Sequence, residues 1–170
     1  MNNSPNIEIK IANNESIVNL KLCAKDFLDF INNFEKKFQK NKFFILTAYY
    51  ESVLAGILVS EDKNQKIDSL TKIVPLMCIH LIYVNPKYRH KNIGKNLLIS
   101  FVNIQKEKGV AALYIKLPQK FKSGIDFFMK NNFHQKEKSE NNLILEFNLW
   151  NDYGIIDYNL IGNNHSNIFE

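Results

Sequence analysis

One apolar run, together with the polar turn and helical pattern that follow it, constrains the fold more than any other part of the sequence. Residues 73–84 read IVPLMCIHLIYV, a polar turn occupies 85–93, and apolar residues then recur at helical spacing from 94 to Gly109. The run is shorter than the roughly 20 residues of a membrane-spanning helix, so it predicts a buried strand that starts near Pro75. Strand, turn and helix in this order place the turn at the carboxyl end of a strand, where α/β sheets bind ligands.

The rest of the chain alternates between strand and helix patterns. Strand patterns occur at 7–12, 43–50, 52–60, 110–117 and 143–150, and helical patterns at 16–40 and 123–132. The alternation predicts an α/β fold with a mixed sheet. Local signals add a tight turn at Glu51–Ser52, a polar loop at 61–72, one long helix or two successive helices over 16–40 capped by Asn14 or Ser16, and a capping box of Ser123 with Asp126.

Composition excludes several classes of protein. The chain has 170 residues, 45% of them apolar and 23% charged, which is ordinary for one soluble globular domain. Two cysteines without CxxC spacing argue against a disulfide framework and against a zinc or redox site, so we expect no metal. Without a secretory pattern or a membrane span, we expect a cytoplasmic protein. The net charge of +5 suits an anionic ligand, and it favours nucleic acid only weakly because no basic cluster is evident.

The turn after the apolar run carries the features of an anion site. Its amides would lie at a helix N-terminus, where unpaired N–H groups and the helix dipole attract negative charge. Arg89, Lys91 and Lys95 add positive charge, and Gly94 allows close approach to the backbone. These features suit a pyrophosphate. An ordinary polar loop with solvated lysines is the alternative interpretation.

The same segment resembles the acetyl-CoA-binding motif of the GNAT superfamily of N-acetyltransferases. In that family a long strand leads into V-x-P-x-Y-R and then an R/Q-x-x-G-x-G/A loop. The matching residues here are Val84, Pro86, Tyr88, Arg89, Asn92, Ile93 and Gly94, followed by Leu97 and Leu98. GIDFFMKNNF at 124–133 is similar to the family's short downstream helix, and the resemblance covers about residues 7–149.

The resemblance implies a fold, a co-substrate and a set of binding residues. It implies a GNAT-like mixed, mostly antiparallel sheet of about six to seven strands flanked by helices, and an enzyme that uses acetyl-CoA. The backbone of Ile82, Tyr83 and Val84 would pair with the pantetheine arm, and an amide near Ile82 would polarise the thioester carbonyl. The pyrophosphate would be held by Arg89, His90, Lys91, Asn92, Ile93, Gly94 and Lys95.

Four positions depart from the family pattern. Asn92 and Asn132 stand where the family has glycine, and we predict that both adopt the left-handed conformation that asparagine tolerates. Phe128 replaces a tyrosine that in many members protonates the departing thiolate, and Cys78 replaces a glutamate that in some members is the general base. The acid and the base are therefore not given by the motif.

His80 is the candidate base that the sequence offers instead. It lies two residues after Cys78, and so on the same face of a regular strand. Its ordinary pKa near 6.5 suits removal of a proton from an ammonium group. The alternative is a structural histidine. Tyr114 is a weaker candidate acid, and a covalent route through Cys78 ranks low.

The sequence leaves the acceptor open. We predict an N-acetyltransferase acting on a primary amine, either a small molecule or a protein amine; the alternative is a catalytically weak GNAT-like CoA-binding module. Residues 22–42 and 136–142 would line the acceptor groove, with acidic groups at Asp26, Asp29, Glu35, Glu137 and Glu140. We expect residues 1–149 to form the domain, 150–170 to be a tail of unknown role, and the oligomeric state to be open, with a homodimer allowed.

Overall fold

Strands and helices alternate along the chain, as the sequence predicts. The computed structural model describes residues 4–12, 16–67 and 72–150. Short 3-10 helices occupy Lys25–Phe30 and Pro86–Tyr88. In chain order the other elements are β1 (Ile7–Ile11), α1 (Ile17–Ala24), α2 (Phe34–Gln39), β2 (Phe43–Tyr50), β3 (Val53–Asp62), β4 (Gln65–Ile67), β5 (Lys72–Val74), β6 (Leu76–Val84), α3 (Ile93–Glu107), β7 (Ala112–Pro118), α4 (Lys122–Lys130), β8 (His134–Lys138) and β9 (Asn142–Asn148).

Seven of these strands form one sheet, in the order β1-β2-β3-β6-β7-β9-β8. β6 and β7 pair in parallel, whereas β1 with β2, β2 with β3, β7 with β9 and β8 with β9 pair antiparallel. This confirms the predicted α/β class with a mixed, mostly antiparallel sheet. β4 and β5 form a separate two-stranded ladder.

The chain divides into two compact units, the first made of residues 1–61 and 79–104. The side chains of α1, α2 and the 3-10 helix between them cover one face of β2 and β3. Leu20, Leu28 and Ile57 are fully buried in this cluster, where each buried aliphatic side chain contributes about 1.5–3 kcal/mol. The predicted helical region is two helices rather than one, because Asn33 adopts a left-handed conformation (φ 56°) immediately before α2.

The β2–β3 hairpin fixes which residues of the first unit face one another. Glu51 (φ 50°) and Ser52 (φ 67°) both have positive φ, as the predicted two-residue turn requires. Tyr49 pairs with Leu54 but Ala48 pairs with Gly56, so Ala55 is an extra, bulged residue. Beyond the bulge the register places Phe43 opposite Glu61.

The second unit comprises residues 62–78 and 105–170, and the structure describes it up to residue 150. Its sheet core contains Leu76, Ala112 and Ile144, all buried. An aromatic cluster lies beside α4: the ring centroids of Phe128 and Phe133 are 5.1 Å apart, and those of Phe133 and Phe147 are 5.5 Å apart.

Several local predictions differ from the structure at the loop before β6 and at the start of α4. The loop predicted at 61–72 is wrong, because β3 continues to Asp62 and the segment also contains β4 and the start of β5. The buried strand predicted to start near Pro75 is confirmed as β6, which begins at Leu76, whereas residues 73–74 before the proline belong to β5. The capping box of Ser123 with Asp126 is also wrong, since α4 begins at Lys122 and has Phe121 as its N-cap, with no side-chain cap.

Other local predictions are confirmed or lie outside the described residues. The Ser16 Oγ accepts a hydrogen bond from the Asn19 amide at 3.2 Å, as a cap does. The predicted loop at 136–142 is shorter, because β8 runs to Lys138. Asn14 and the tail from residue 151 lie outside the described residues, so the boundary at 149 stays a prediction.

Candidate active site

The turn after β6 is held to the β2–β3 hairpin by its first residue. The Asn85 amide donates at 2.8 Å to the carbonyl of Ala55, the bulged residue of β3. The Asn85 side-chain oxygen accepts from the Lys87 amide at 3.0 Å and so caps the 3-10 helix that begins at Pro86. These two bonds fix where the loop leaves the strand.

The loop then makes two left-handed steps before α3. The Arg89 Nε donates to the Val84 carbonyl at 3.1 Å, which folds the side chain back on the end of β6. His90 (φ 62°) and Asn92 (φ 61°) are left-handed, and this confirms the conformation predicted for Asn92. Left-handed residues within a turn orient successive amides towards one concave side, an arrangement that binds anions.

The first turn of α3 follows directly. The Asn96 amide donates to the Asn92 carbonyl at 2.9 Å, which starts the helical ladder. The amides of residues 93–95 therefore lie in the first turn, where amides have no carbonyl partner within the helix. Ile93 and Leu97 are almost fully buried and anchor this end of the helix, while Lys95 is exposed.

Close packing beneath the loop requires a glycine at position 56, which no sequence motif indicated. A Cβ at Gly56 would lie 2.9 Å from the Tyr83 carbonyl oxygen and 3.2 Å from Ile93. Only glycine lets β3 approach the end of β6 so closely. The bulge next to Gly56 is the structural reason, and no periodic pattern in the sequence signals it.

Aromatic rings from β2 border the same loop. The Tyr50 and Tyr88 ring centroids are 5.6 Å apart, and the Lys91 Nζ lies 5.2 Å from the Tyr50 ring. Lys91 is thus close to an aromatic face, in a geometry of cation–π attraction. The predicted residues Ile82, Tyr83 and Val84 are half-buried at the end of β6, and His90 and Lys91 are exposed.

His80 lies on β6 just before the predicted pantetheine-binding residues, and it contacts a carboxylate. Its Nε2 is 2.7 Å from the Glu61 Oε2, and the Phe43 ring meets the imidazole edge-on with centroids 5.9 Å apart. Glu61 is only 8% exposed, and the Lys37 Nζ donates to the same oxygen at 3.1 Å. Glu61 escaped prediction because the polar pattern of residues 61–72 predicts a loop at that position. Continuing the alternation of Ile57 and Val59 would have placed Glu61 on the same strand face.

The second unit holds three of the four positions at which the chain departs from the family pattern, namely Cys78, Phe128 and Asn132. Phe128 is buried in the aromatic cluster, Tyr114 is 5% exposed, and Cys78 is buried in the sheet core. Asn132 has φ 69° just after α4, which confirms its predicted left-handed conformation. Whether His80 shares a strand face with Cys78 stays a prediction.

Other ionisable groups of the described residues have clear structural partners. Burial raises the pKa of the Cys23 thiol to about 11, so Cys23 is a core residue rather than a nucleophile. Glu35, one of the predicted acceptor-side acids, forms an ion pair with Lys21. No group of three or more His, Cys, Asp or Glu side chains suited to a metal ion occurs in the part of the chain that the structure describes.

The predicted acceptor region of the first unit presents aromatic side chains. Phe30 is 83% exposed and Phe27 is 47% exposed, and Phe27 contacts Tyr83 with ring centroids 4.9 Å apart. Asp29 is also exposed on this 3-10 helix. Among the helices that the structure describes, none is long and apolar enough to span a membrane.

The model of the acetyltransferase (GNAT) family matches residues 15–133, which is most of the chain. The chain belongs to the GNAT acetyltransferase family. The family is described as one of acetyltransferases, the enzyme class that the sequence predicts.

Similar proteins fall in the same family. A spermidine N(1)-acetyltransferase from Thermoplasma acidophilum is 32% identical over 101 residues, which span 59% of this GNAT chain and 56% of that relative. The PaiA N-acetyltransferase of Thermoplasma acidophilum, solved with coenzyme A, superimposes with a TM-score of 0.61 at 21% identity and covers 84% of this chain and 99% of its own. Arabidopsis thaliana NAA60, solved with acetyl-CoA, superimposes with a TM-score of 0.70 at 15% identity. The match covers 84% of this chain and 98% of the NAA60 chain.

Proposed function

We propose that this GNAT enzyme transfers the acetyl group of acetyl-CoA to a primary amine, with the loop from Arg89 to Lys95 binding the pyrophosphate. The observation that carries the proposal is the pair of left-handed residues, His90 and Asn92, directly before the first turn of α3. Amides at a helix N-terminus and the cations Arg89, Lys91 and Lys95 suit two phosphates. The half-buried backbone of Ile82–Val84 would pair with the pantetheine arm.

His80 is the base in this proposal, and its surroundings support that role. The ring is partly exposed, with 23% of the side chain accessible, and it lies on the strand that would contact the thioester. Imidazole is the side chain that exchanges a proton in the neutral pH range, as removal of a proton from an ammonium group requires. Phe128 has no hydroxyl, so the departing thiolate would take its proton from the amine nitrogen itself.

A polyamine is the first acceptor to test. One relative is named a spermidine N(1)-acetyltransferase. In this chain the exposed faces of Phe27 and Phe30, with the carboxylate of Asp29, suit a flexible chain that carries several positive charges. A peptide N-terminus and a lysine side chain are the other amine classes for the same assay. A homodimer stays a prediction.

The alternative is a CoA-binding module that transfers acetyl poorly. One observation favours it: Phe128, at the position of the family's tyrosine acid, is buried among Phe127 and Phe133. Release of free CoA thiol in the presence of spermidine, a peptide amine and lysine separates the two functions. Binding of acetyl-CoA without thiol release above the amine-free rate, for all three amines, would favour the module.

Charge reversal tests the loop assignment. We expect Arg89→Glu to weaken acetyl-CoA binding by about 10-fold or more, because charge-assisted hydrogen bonds contribute roughly 1.5–3 kcal/mol. Lys10→Glu, which reverses an exposed charge on β1, is the matched control and should leave the affinity unchanged. Calorimetric titration and the rise in melting temperature with acetyl-CoA measure the effect. Equal affinities of the two variants for acetyl-CoA would show that this loop does not bind the pyrophosphate.

A further inference from the structure

We propose that Glu61 is a positioning residue for acetyl transfer: its carboxylate holds the His80 ring with the proton on Nε2, so that Nδ1 is the atom that accepts the proton of the amine. This inference rests on the proposed function, which makes His80 the base. It adds the atom that does the chemistry and the group that selects that atom.

The contact between His80 and Glu61 determines the tautomer. An ionised carboxylate only accepts hydrogen bonds, so the Nε2 that lies 2.7 Å from the Glu61 Oε2 must carry a hydrogen. A neutral imidazole has one N–H, and Nδ1 then holds the lone pair. The Lys37 Nζ, 3.1 Å from the same carboxylate oxygen, favours the ionised form of Glu61.

Burial makes this arrangement more than a surface ion pair. Only 10% of the Glu61 side chain is accessible, and a buried carboxylate is strongly unfavourable unless charged or polar groups bond to it. Two of its partners are Lys37 from α2 and His80 from β6. The third element packed there, β2, contributes the uncharged ring of Phe43, which meets the imidazole edge-on and restricts its rotation.

The proton balance of the step is complete. An ammonium acceptor gives one proton to Nδ1 of His80, and the resulting imidazolium, stabilised by Glu61, later passes that proton to solvent. The nitrogen lone pair then forms a bond to the thioester carbonyl carbon, and the C–S bond breaks. The second proton leaves the nitrogen for the departing thiolate, which gives the amide and free CoA.

Removing the charge of Glu61 and removing that of Lys37 should have opposite effects on the pKa of His80. The negative charge of Glu61 stabilises the imidazolium, so Glu61→Gln should lower the pKa of His80 by about one unit or more. Lys37 opposes the imidazolium, so Lys37→Met should raise that pKa. Shifts of opposite sign would show that both charges act on the ring, and the pH profile of turnover then shows whether they act on catalysis.

Nuclear magnetic resonance of protein with isotope-labelled histidine measures these shifts without an acceptor. The chain has four histidines, and His80→Gln assigns the His80 signal by its loss. Above its pKa the wild-type ring should show the Nε2–H tautomer. Glu8→Gln removes an exposed carboxylate on β1 and is the matched control, which should leave the His80 titration unchanged. A wild-type Nδ1–H tautomer, or an unshifted titration in Glu61→Gln and Lys37→Met alike, would overturn the proposal.

Kinetics separate failure of this inference from failure of the proposed function. With spermidine as the probe, or the most active amine of the panel, His80→Gln should lower turnover by about 10²-fold. The acid limb of the turnover profile should move down in pH for Glu61→Gln and up for Lys37→Met. Wild-type turnover in His80→Gln refutes His80 as the base. If turnover of His80→Gln is slow but the pH profile of turnover in Glu61→Gln matches that of wild type, only the role of Glu61 is refuted. If Glu61→Gln does not fold, the Lys37→Met shift and the wild-type tautomer decide.

Discussion

The half-buried carboxyl of Glu146 on β9 should give the protein a pH-dependent stability. Burial raises the pKa of Glu146, while the Lys136 Nζ at 3.8 Å lowers it to a smaller extent. A raised pKa means that the fold favours the protonated acid. The stability that Glu146 contributes is therefore fully present below its unfolded pKa, near 4.5, and is lost as the pH rises through the folded pKa.

We expect Glu146→Gln, which does not titrate, to gain stability relative to wild type as the pH rises from 4 to 7. Urea unfolding at a series of pH values gives the difference between the two free energies of unfolding. Glu140→Gln removes an exposed carboxylate near the turn between β8 and β9 and should track wild type. If the free energy of unfolding of Glu146→Gln changes with pH in the same way as that of wild type, the raised pKa of Glu146 is contradicted.

Gly56 is a second residue with an effect beyond its own position, because it determines how closely β3 can approach the end of β6. A methyl group there would meet the Tyr83 carbonyl oxygen at 2.9 Å, and backbone atoms cannot move aside as a flexible side chain can. We expect Gly56→Ala to lower the free energy of unfolding by about 1–3 kcal/mol, as overpacking does, and to weaken acetyl-CoA binding.

Gly109→Ala is the control for Gly56→Ala. Its Cβ would have no heavy atom within 4 Å, but its φ of +77° disfavours alanine. That variant should therefore lose stability while it keeps its affinity for acetyl-CoA. Equal affinities of the two alanine variants, measured by calorimetry, would show that the end of β6 tolerates displacement.

At the scale of the element, the loop before α3 depends on its backbone conformation. Asn92 is left-handed, so Asn92→Gly should keep acetyl-CoA affinity, whereas the β-branched Asn92→Val should weaken it by about 10-fold. Asn41→Val makes the same change at another left-handed residue, after α2, and should reduce the melting temperature without reducing affinity. Indistinguishable affinities for the two Asn92 variants would show that the position makes no conformational demand.

Periodic elements were predictable, and irregular ones were not. The hairpin at Glu51–Ser52 and the helix ending at Gly109 follow from local turn chemistry and spacing. β4 escaped prediction because its residues Gln65–Ile67 are mostly polar and lie within a polar segment. The 3-10 segment Lys25–Phe30 escaped because helical spacing does not distinguish 3.6 from 3.0 residues per turn over six residues.

At the scale of the whole molecule, the family was predictable but the chemistry around its candidate base was not. The loop motif is contiguous in sequence, so Arg89, Asn92 and Gly94 could be recognised directly. Lys37, Glu61 and His80 come from three elements separated along the chain. Only the pairing of β3 with β6 in the sheet and the packing of α2 bring them into contact, and neither leaves a local signature.

The bulge at Ala55 has a consequence for how the length of this hairpin can vary. Deleting Ala55 would leave a regular ladder with every later pair, including Phe43 with Glu61, unchanged. The sheet would gain regularity, but the carbonyl that accepts from the Asn85 amide would be lost. A more regular hairpin would thus lack one of the two hydrogen bonds that fix where the turn leaves β6.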